Sequence, residues 1–249
     1  MDPTTRANRI IWETASLKHV REYQKLLDLA AAGSSLIDVE RHLLHDILQQ
    51  EPDVVHLQSG HGLEDVALVR AGARSVVGVD FSAVAADAAQ RRATDIGVAC
   101  RYVVSVVPDV PLADASADLV YTGKGALIWM QDLLAWGREV VRLLRPSGHL
   151  FIYEAHPAVP LWTWDRDQPR IRPDRSYFDR SHVNDTFPAN GAVEWQWTLG
   201  QIVTTVVEAG MEVLHLGEYP EPFWRAEGVA ASAWDGRLPN SFSLLARRS

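Results

Sequence analysis

The sequence predicts an α/β fold: a doubly wound, mostly parallel sheet of seven strands with helices on both faces. Three observations carry that expectation. From position 54 onward, short runs rich in Val, Leu and Tyr alternate with stretches of helical period. The links between them are short, which suits a parallel sheet covered on both sides. The first strand-to-helix junction, "HLQSGHG", carries two glycines, and an acid, Asp80, closes the strand that follows.

Before this core, residues 6–29 place Ile10, Ile11, Leu17, Val20, Tyr23, Leu26 and Leu27 at roughly helical spacing, which predicts one or two helices. A Gly-Ser break follows, then a helix over 37–50 with Asp38 near its start and Pro52 beyond its end. Strands are expected over 54–57, 75–79, 99–104, 119–121 and 150–153, each bounded by turn residues. Helices are expected over 63–71, 84–96 and 131–144, the last stopped by "RPSG". Five prolines between positions 157 and 191 break the rhythm, and a loop that long suggests a lid. A helix over 199–209 and strands over 212–216 and 241–246 complete the sheet. The expected organisation is one domain: a helical cover (1–50), a ligand-binding core (51–157), a substrate-capping insertion (158–197) and a C-terminal completion of the sheet (198–249).

With 47% apolar and 22% charged residues in 249, the composition is globular. Lys plus Arg number 24 against 32 Asp plus Glu, a formal charge of -8 with no basic block, which argues against nucleic acid as a partner. Cys100 is the single cysteine, no apolar run approaches a membrane span, and no charged-then-apolar leader opens the sequence. The expected compartment is the cytoplasm and the expected partner a small molecule; a dimer is left open. Six of the nine tryptophans lie at or beyond position 162, which suggests an aromatic-walled cavity, or else a Trp-rich core.

In an open parallel sheet, ligands bind beyond the carboxyl ends of the strands, where the strand order reverses. Gly60 and Gly62 allow a sharp turn and close approach of a ligand to backbone, and Asp80 is placed to accept from both hydroxyls of a ribose. Together these point to an adenosine. Dinucleotide-binding chains share the layout but need a third glycine where "GHGLED" has Asp65, and Glu64 and Asp65 put negative charge where a pyrophosphate would sit. A cationic sulfonium tolerates such a turn better. No histidine shows metal-ligand spacing, so no metal site is expected.

The segments "HLQSGHG", "VVGVDFS", "DLVYTGKGALIWM", "LLRPSGHLFIYEAHP" and "WTLGQIV" resemble the class I S-adenosylmethionine-dependent methyltransferases. Within that family they resemble a bacterial small-molecule subgroup in which "HLQ" replaces the commoner "DLG". The resemblance implies the Rossmann-like methyltransferase fold and S-adenosyl-L-methionine as cofactor. It implies that Gln58, Ser59, Gly60, His61 and Gly62 turn around the methionine and ribose, that Asp80 holds the ribose, and that Phe81 packs by the adenine. Thr122 and Gly123 would lie near the amino-acid end. Two departures stand out. Val106 occupies the place of an adenine-binding Asp, leaving backbone groups of Val106 and Val107 to that task, and Trp197 stands where similar proteins often carry His.

Methyl transfer is an in-line displacement that depends chiefly on positioning and exclusion of water. His156 and Glu154, just past the fifth strand and two residues apart, are the first candidates for proton transfer, with a capping or structural pair as the alternative. Tyr23 is a third candidate and, with His19, would face the acceptor from the helical cover. Trp129 in the body and Trp162, Trp164, Tyr177 and Trp197 in the insertion are expected around the acceptor. Lys124 reads as a solvated charge. The expected function is methylation of a small aromatic or nitrogen-containing metabolite at carbon or nitrogen, in a natural-product setting. O-methylation with His156 as base, a nicotinamide-dependent oxidoreductase and a non-catalytic cofactor-binding protein remain as alternatives.

Overall fold

The computed structural model describes residues 1–33, 35–163, 170–185, 191–224, 228 and 232–249. The sheet contains β1 (Asp53–Leu57), β2 (Ser75–Asp80), β3 (Cys100–Val104), β4 (Ala117–Gly123) and β5 (Leu144–Ala155). A separate hairpin, β6 (Ser181–Val183) with β7 (Val193–Trp195), precedes the last two strands of the sheet, β8 (Met211–Tyr219) and β9 (Ser241–Arg248). The strand order is β3-β2-β1-β4-β5-β9-β8, and β9 alone runs opposite in direction to the other six strands. The order reverses between β1 and β4, so a crevice is expected past the carboxyl ends of those two strands.

Alternation along the strands divides the core. Val55, Leu57, Val77, Val79 and Val120 face α6 (Leu133–Leu143) and α7 (Leu199–Glu208), where Trp136, Val140, Ile202 and Val206 are buried. Val54, Val76, Leu119 and Tyr121 face the other way, onto Leu44 of α3 (Asp38–Leu48), Leu68 of α4 (Leu63–Arg70) and Ala93 of α5 (Ala83–Ile96). Each fully buried side chain of this size contributes about 1.5–3 kcal/mol, so both faces hold their helices firmly.

The N-terminal segment forms two helices, α1 (Pro3–Arg21) and α2 (Tyr23–Ala32), separated at Glu22. Asp2 caps α1 by accepting from Thr4 N and Thr5 N, and Pro3 fits the first turn, where its missing N–H is no loss. α1 packs on α5.

Two expectations change. "RPSG" does stop α6, but it continues as the irregular start of β5: the pairing with β4 jumps between Ala117 and Leu119, and Ser147 takes a left-handed φ of +64°. The long excursion carries structure of its own, the β6–β7 hairpin and a bridge between Trp162 and Ile171.

Candidate active site

A cavity of about 990 Å³ opens at the reversal point. The segments just past β1, β2, β3 and β4 form its floor, and α1 forms its roof. From the first group come Gln58 to His61, then Asp80 and Phe81, then Ser105 to Asp109, then Gly123 to Gly125.

The turn after β1 is held by the strand beside it. Ser59 N donates to Val79 O at 3.0 Å, and Gly60 N donates to Asp80 Oδ2 at 2.9 Å. Ser82 N occupies the other Asp80 oxygen at 2.8 Å. Gln58 takes a φ of +57°, a region costing a non-glycine residue roughly 1–2 kcal/mol, while its amide donates to Ala126 O at 2.7 Å. A β-carbon on Gly60 would meet nothing within 4 Å, so this backbone is open to a ligand. Gly62 serves differently: it has a φ of +73°, and the Tyr102 hydroxyl lies where its β-carbon would be. It shapes the turn without lining the cavity.

Among the described residues, four buried polar atoms of residues lining this cavity have no hydrogen-bond partner: Trp12 Nε1, Gln58 Oε1, Ser59 Oγ and His61 Nδ1. Leaving such atoms dry costs about 1–3 kcal/mol each, which a polar ligand relieves. The residues therefore fit the cofactor that the resemblance implies. Asp80 would hold the ribose, Phe81, Val106 and Val107 would line the adenine, and the 58–61 turn would hold the sulfur-bearing end.

α1 roofs the cavity with Thr5, Trp12, Ala15, Ser16 and His19. Asn8 fastens it to the hairpin, donating to Val193 O at 2.8 Å and accepting from Val193 N at 2.9 Å. Glu13 fastens it to the start of α5, accepting from Ser82 Oγ and Ala83 N at 2.9 Å each and Val84 N at 3.1 Å. Burial raises the Glu13 carboxyl pKa, but these donors outweigh it and the net shift is downward. Trp12 meets Trp129 edge to face, with centroids 5.4 Å apart and planes at 88°.

His19 stands over His61 in the same manner, centroids 4.8 Å apart. Burial, then the charges of His61, Arg92 and Lys18, lower His19 from 6.5 to about 3; burial also lowers His61, with Arg92 and Lys124 outweighed in part by Glu64 and Asp65 acting upward. The unfolded chain binds protons at these rings near pH 6.5 and the folded chain only lower. Their contribution to stability is therefore full above about pH 6.5 and lost as pH falls toward 3. Hydrogen exchange in α1, corrected for intrinsic rates, is expected to quicken below pH 6, and His19→Gln is expected to blunt the change. A pH-independent α1 would contradict this.

Several expected residues lie elsewhere. Glu154 is buried under the loop after β4, accepting from the backbone N–H of Gly125, Ala126, Leu127 and Ala155 at 2.5–3.0 Å. His156 Nε2 pairs with Glu218 at 3.0 Å and its Nδ1 accepts from Ala158 N at 3.1 Å. Neither reaches the cavity, because β5 ends one strand beyond the reversal point. Tyr23 donates to Asp95 at 2.6 Å on the outer side of α5. Thr122 is fully buried and ties β4 to Leu57 O at 3.2 Å. Tyr177 accepts from Leu199 N at the start of α7, Trp197 donates to Met130 O, and Trp162 is buried beside Ile171. Trp164 lies outside the described residues. Among the described residues the insertion lines none of the cavity; it braces α1, and α1 lines it.

His19 and Trp129 do line the cavity, as do Gln58, Ser59, Gly60, His61, Asp80, Phe81, Val106, Val107 and Gly123. Sequence reasoning missed Trp12, Thr5 and Ser16, although with His19 they recur at helical spacing. It also missed Asp109, an acid on the wall three residues past Val106. Lys124 is not a solvated charge: its ammonium sits 3.0 Å from Glu40 and 3.1 Å from Glu64.

Residues 55–152 match the profile of a family described as "Methyltransferase domain". A curated relative, dimethylglycine N-methyltransferase of Parasynechococcus marenigrum (strain WH8102), is 37% identical over 107 residues, 42% of this chain. The match spans only 38% of that relative's length. Among solved structures, an S-adenosylmethionine-dependent methyltransferase from Mesorhizobium loti superposes with a TM-score of 0.67 at 22% identity, covering 82% of this chain and 96% of that one. Geranyl diphosphate C-methyltransferase from Streptomyces coelicolor A3(2), solved with S-adenosyl-L-homocysteine, gives 0.59 at 16% identity, covering 85% and 80%. The structural matches share the fold. The profile match likens residues 55–152 to a methyltransferase domain.

Proposed function

We propose that this chain, built around that domain, transfers the methyl group of S-adenosylmethionine to the nitrogen of a small amine. The observation that carries the acceptor is the character of the wall. Two indole rings, Trp12 and Trp129, meet at a right angle on it. Five acidic residues line the cavity (Asp2, Glu64, Asp80, Asp109 and Asp132) against two lysines, Lys18 and Lys124. An aromatic corner in an acidic cavity favours cations, attracting an ammonium by about 0.5–2 kcal/mol for each ring face it meets. The curated relative named for an N-methyltransferase agrees with this choice.

The cofactor supplies an electrophilic methyl group on a sulfonium; the chain positions and shields. α1 closes the roof and excludes water, and the Trp12–Trp129 corner would hold the amine in line. The amine must shed a proton to expose its lone pair, and His61 Nδ1, neutral and unpartnered, is the acceptor that the wall offers. O-methylation is disfavoured because His156 is committed to Glu218 away from the cavity. Dinucleotide binding is disfavoured because Glu64 lines the cavity beside the glycine turn. Methylation of a flat aromatic carbon is the second reading, since the same indoles can stack on a ring. A natural-product setting rests on the sequence resemblance alone.

The test is incubation with methyl-labelled cofactor and parallel panels of amines and indoles, read by mass spectrometry. Label on an amine nitrogen is expected; label confined to ring carbon would favour the second reading, and no transfer to either panel would contradict both. Trp12→Ala is expected to raise the acceptor KM about tenfold while changing the Kd of S-adenosylhomocysteine less than about threefold, with Trp12→Phe in between. Equal loss on both would move Trp12 to the cofactor.

A further inference from the structure

At the end of the cavity away from Asp80, four groups form a chain of charge and hydrogen bonds. Lys124 Nζ donates to Ser35 O at 3.0 Å and meets Glu40 Oε2 at 3.0 Å and Glu64 Oε1 at 3.1 Å, which uses all three of its protons. Glu40 is fully buried and fully used: its Oε2 also accepts from Ile37 N at 2.8 Å, and its Oε1 accepts from the Tyr121 hydroxyl. Glu64 differs. Beyond its own backbone N–H, only Lys124 among the described residues donates to it, and it lines the cavity.

Two carboxylates against one ammonium leave one negative charge uncompensated. The neighbouring imidazole, His56, is already paired through Nδ1 with a third carboxylate, Asp65, at 2.5 Å. The Glu64 carboxyl stays ionised: burial raises its pKa, but the Lys124 ammonium beside it brings it down to about 2. A second observation points to a polar ligand here. Gln58 lines the same cavity, its amide nitrogen donates to Ala126 O two residues past Lys124, and its buried Oε1 has no partner among the described residues.

We propose that Glu64 receives the α-ammonium of the cofactor's methionine portion, with Lys124 as the residue that positions it. This rests on the reading that the cavity holds S-adenosylmethionine. The topology gives the direction: β2 and β4 flank β1 on opposite sides, so an adenosine held by Asp80 past β2 extends its amino-acid end toward Lys124 past β4. The free oxygen of Glu64 then gains a donor and the excess charge gains a counter-ion. Lys124, with no proton left to give, orients Glu64 and does not itself grip the ligand.

The test compares calorimetric binding of S-adenosylhomocysteine with that of 5′-methylthioadenosine, which keeps adenosine and sulfur but lacks the amino-acid end. Glu64→Gln is expected to weaken the first at least about tenfold and leave the second within about twofold. Glu64→Asp, which keeps the charge, is expected to recover part of the loss, and Lys124→Met to repeat the selective pattern. Equal weakening of both ligands by Glu64→Gln, or of neither, would overturn the assignment. If the wild-type chain binds neither ligand, the cofactor reading itself fails.

Discussion

Asp80→Ala is expected to lower the affinity for S-adenosylhomocysteine by about 100-fold or more. The carboxylate has two tasks. It aligns Gly60 N and Ser82 N, each at under 3 Å, and so fixes the glycine turn against β2. Its remaining lone pairs are the anionic acceptors available to a ribose diol. Hydrogen bonds to a charged group contribute about 1.5–3 kcal/mol each, so losing two, along with the order of the turn, gives at least that change. Calorimetry on the wild type and the variant measures it, with melting curves to show that the variant folds. Burial, opposed by the N–H groups of Ser82 and Gly60, holds the Asp80 carboxyl above its ordinary 3.8. Affinity should therefore fall, as pH decreases, at a higher pH than for an exposed aspartate. Unchanged binding in Asp80→Ala would remove the ribose from this position.

Glu154→Ala is expected to have the largest effect on stability. One buried carboxylate accepts from four backbone N–H groups, three of them in the loop that carries Gly125 onto the cavity wall. Removing it orphans those donors at about 1–3 kcal/mol each where water cannot replace it, a loss on the order of 3 kcal/mol or more after partial relaxation. At about 2–4 °C per kcal/mol for a chain of this size, Tm should fall by roughly 6–12 °C. Glu154→Gln, which keeps one acceptor oxygen, should lie between. A catalytic role without this scaffolding would instead leave Tm unchanged and abolish turnover.

That residue also shows where the sequence could be read and where it could not. The strands, the glycine turn and Asp80 were legible because each depends on neighbours in the chain: alternation fixes the faces of a strand, and a turn needs its glycines in place. Glu154 and His156 sit at a strand end of the right polarity, but whether that end borders the cavity depends on strand order, which places β5 one position too far. The roof illustrates the same gap. Helical spacing in α1 was visible, yet which face meets the cavity is set by Asn8 and Glu13 bonding to residues 185 and about 70 positions away. Tryptophan abundance pointed to the C-terminal third, whereas the cavity uses Trp12 and Trp129, Trp162 is buried beside Ile171 and Trp197 donates to Met130 O. Lys124 looked solvated because its partners, Glu40 and Glu64, approach only in three dimensions.

Calorimetric titration of the purified, folded chain with S-adenosylhomocysteine, run beside NAD, tests the account most directly. It predicts saturable binding of one S-adenosylhomocysteine per chain, competed by S-adenosylmethionine, and no measurable heat with NAD. A folded chain that gives no saturable response to S-adenosylhomocysteine, or that binds NAD in its place, would contradict it.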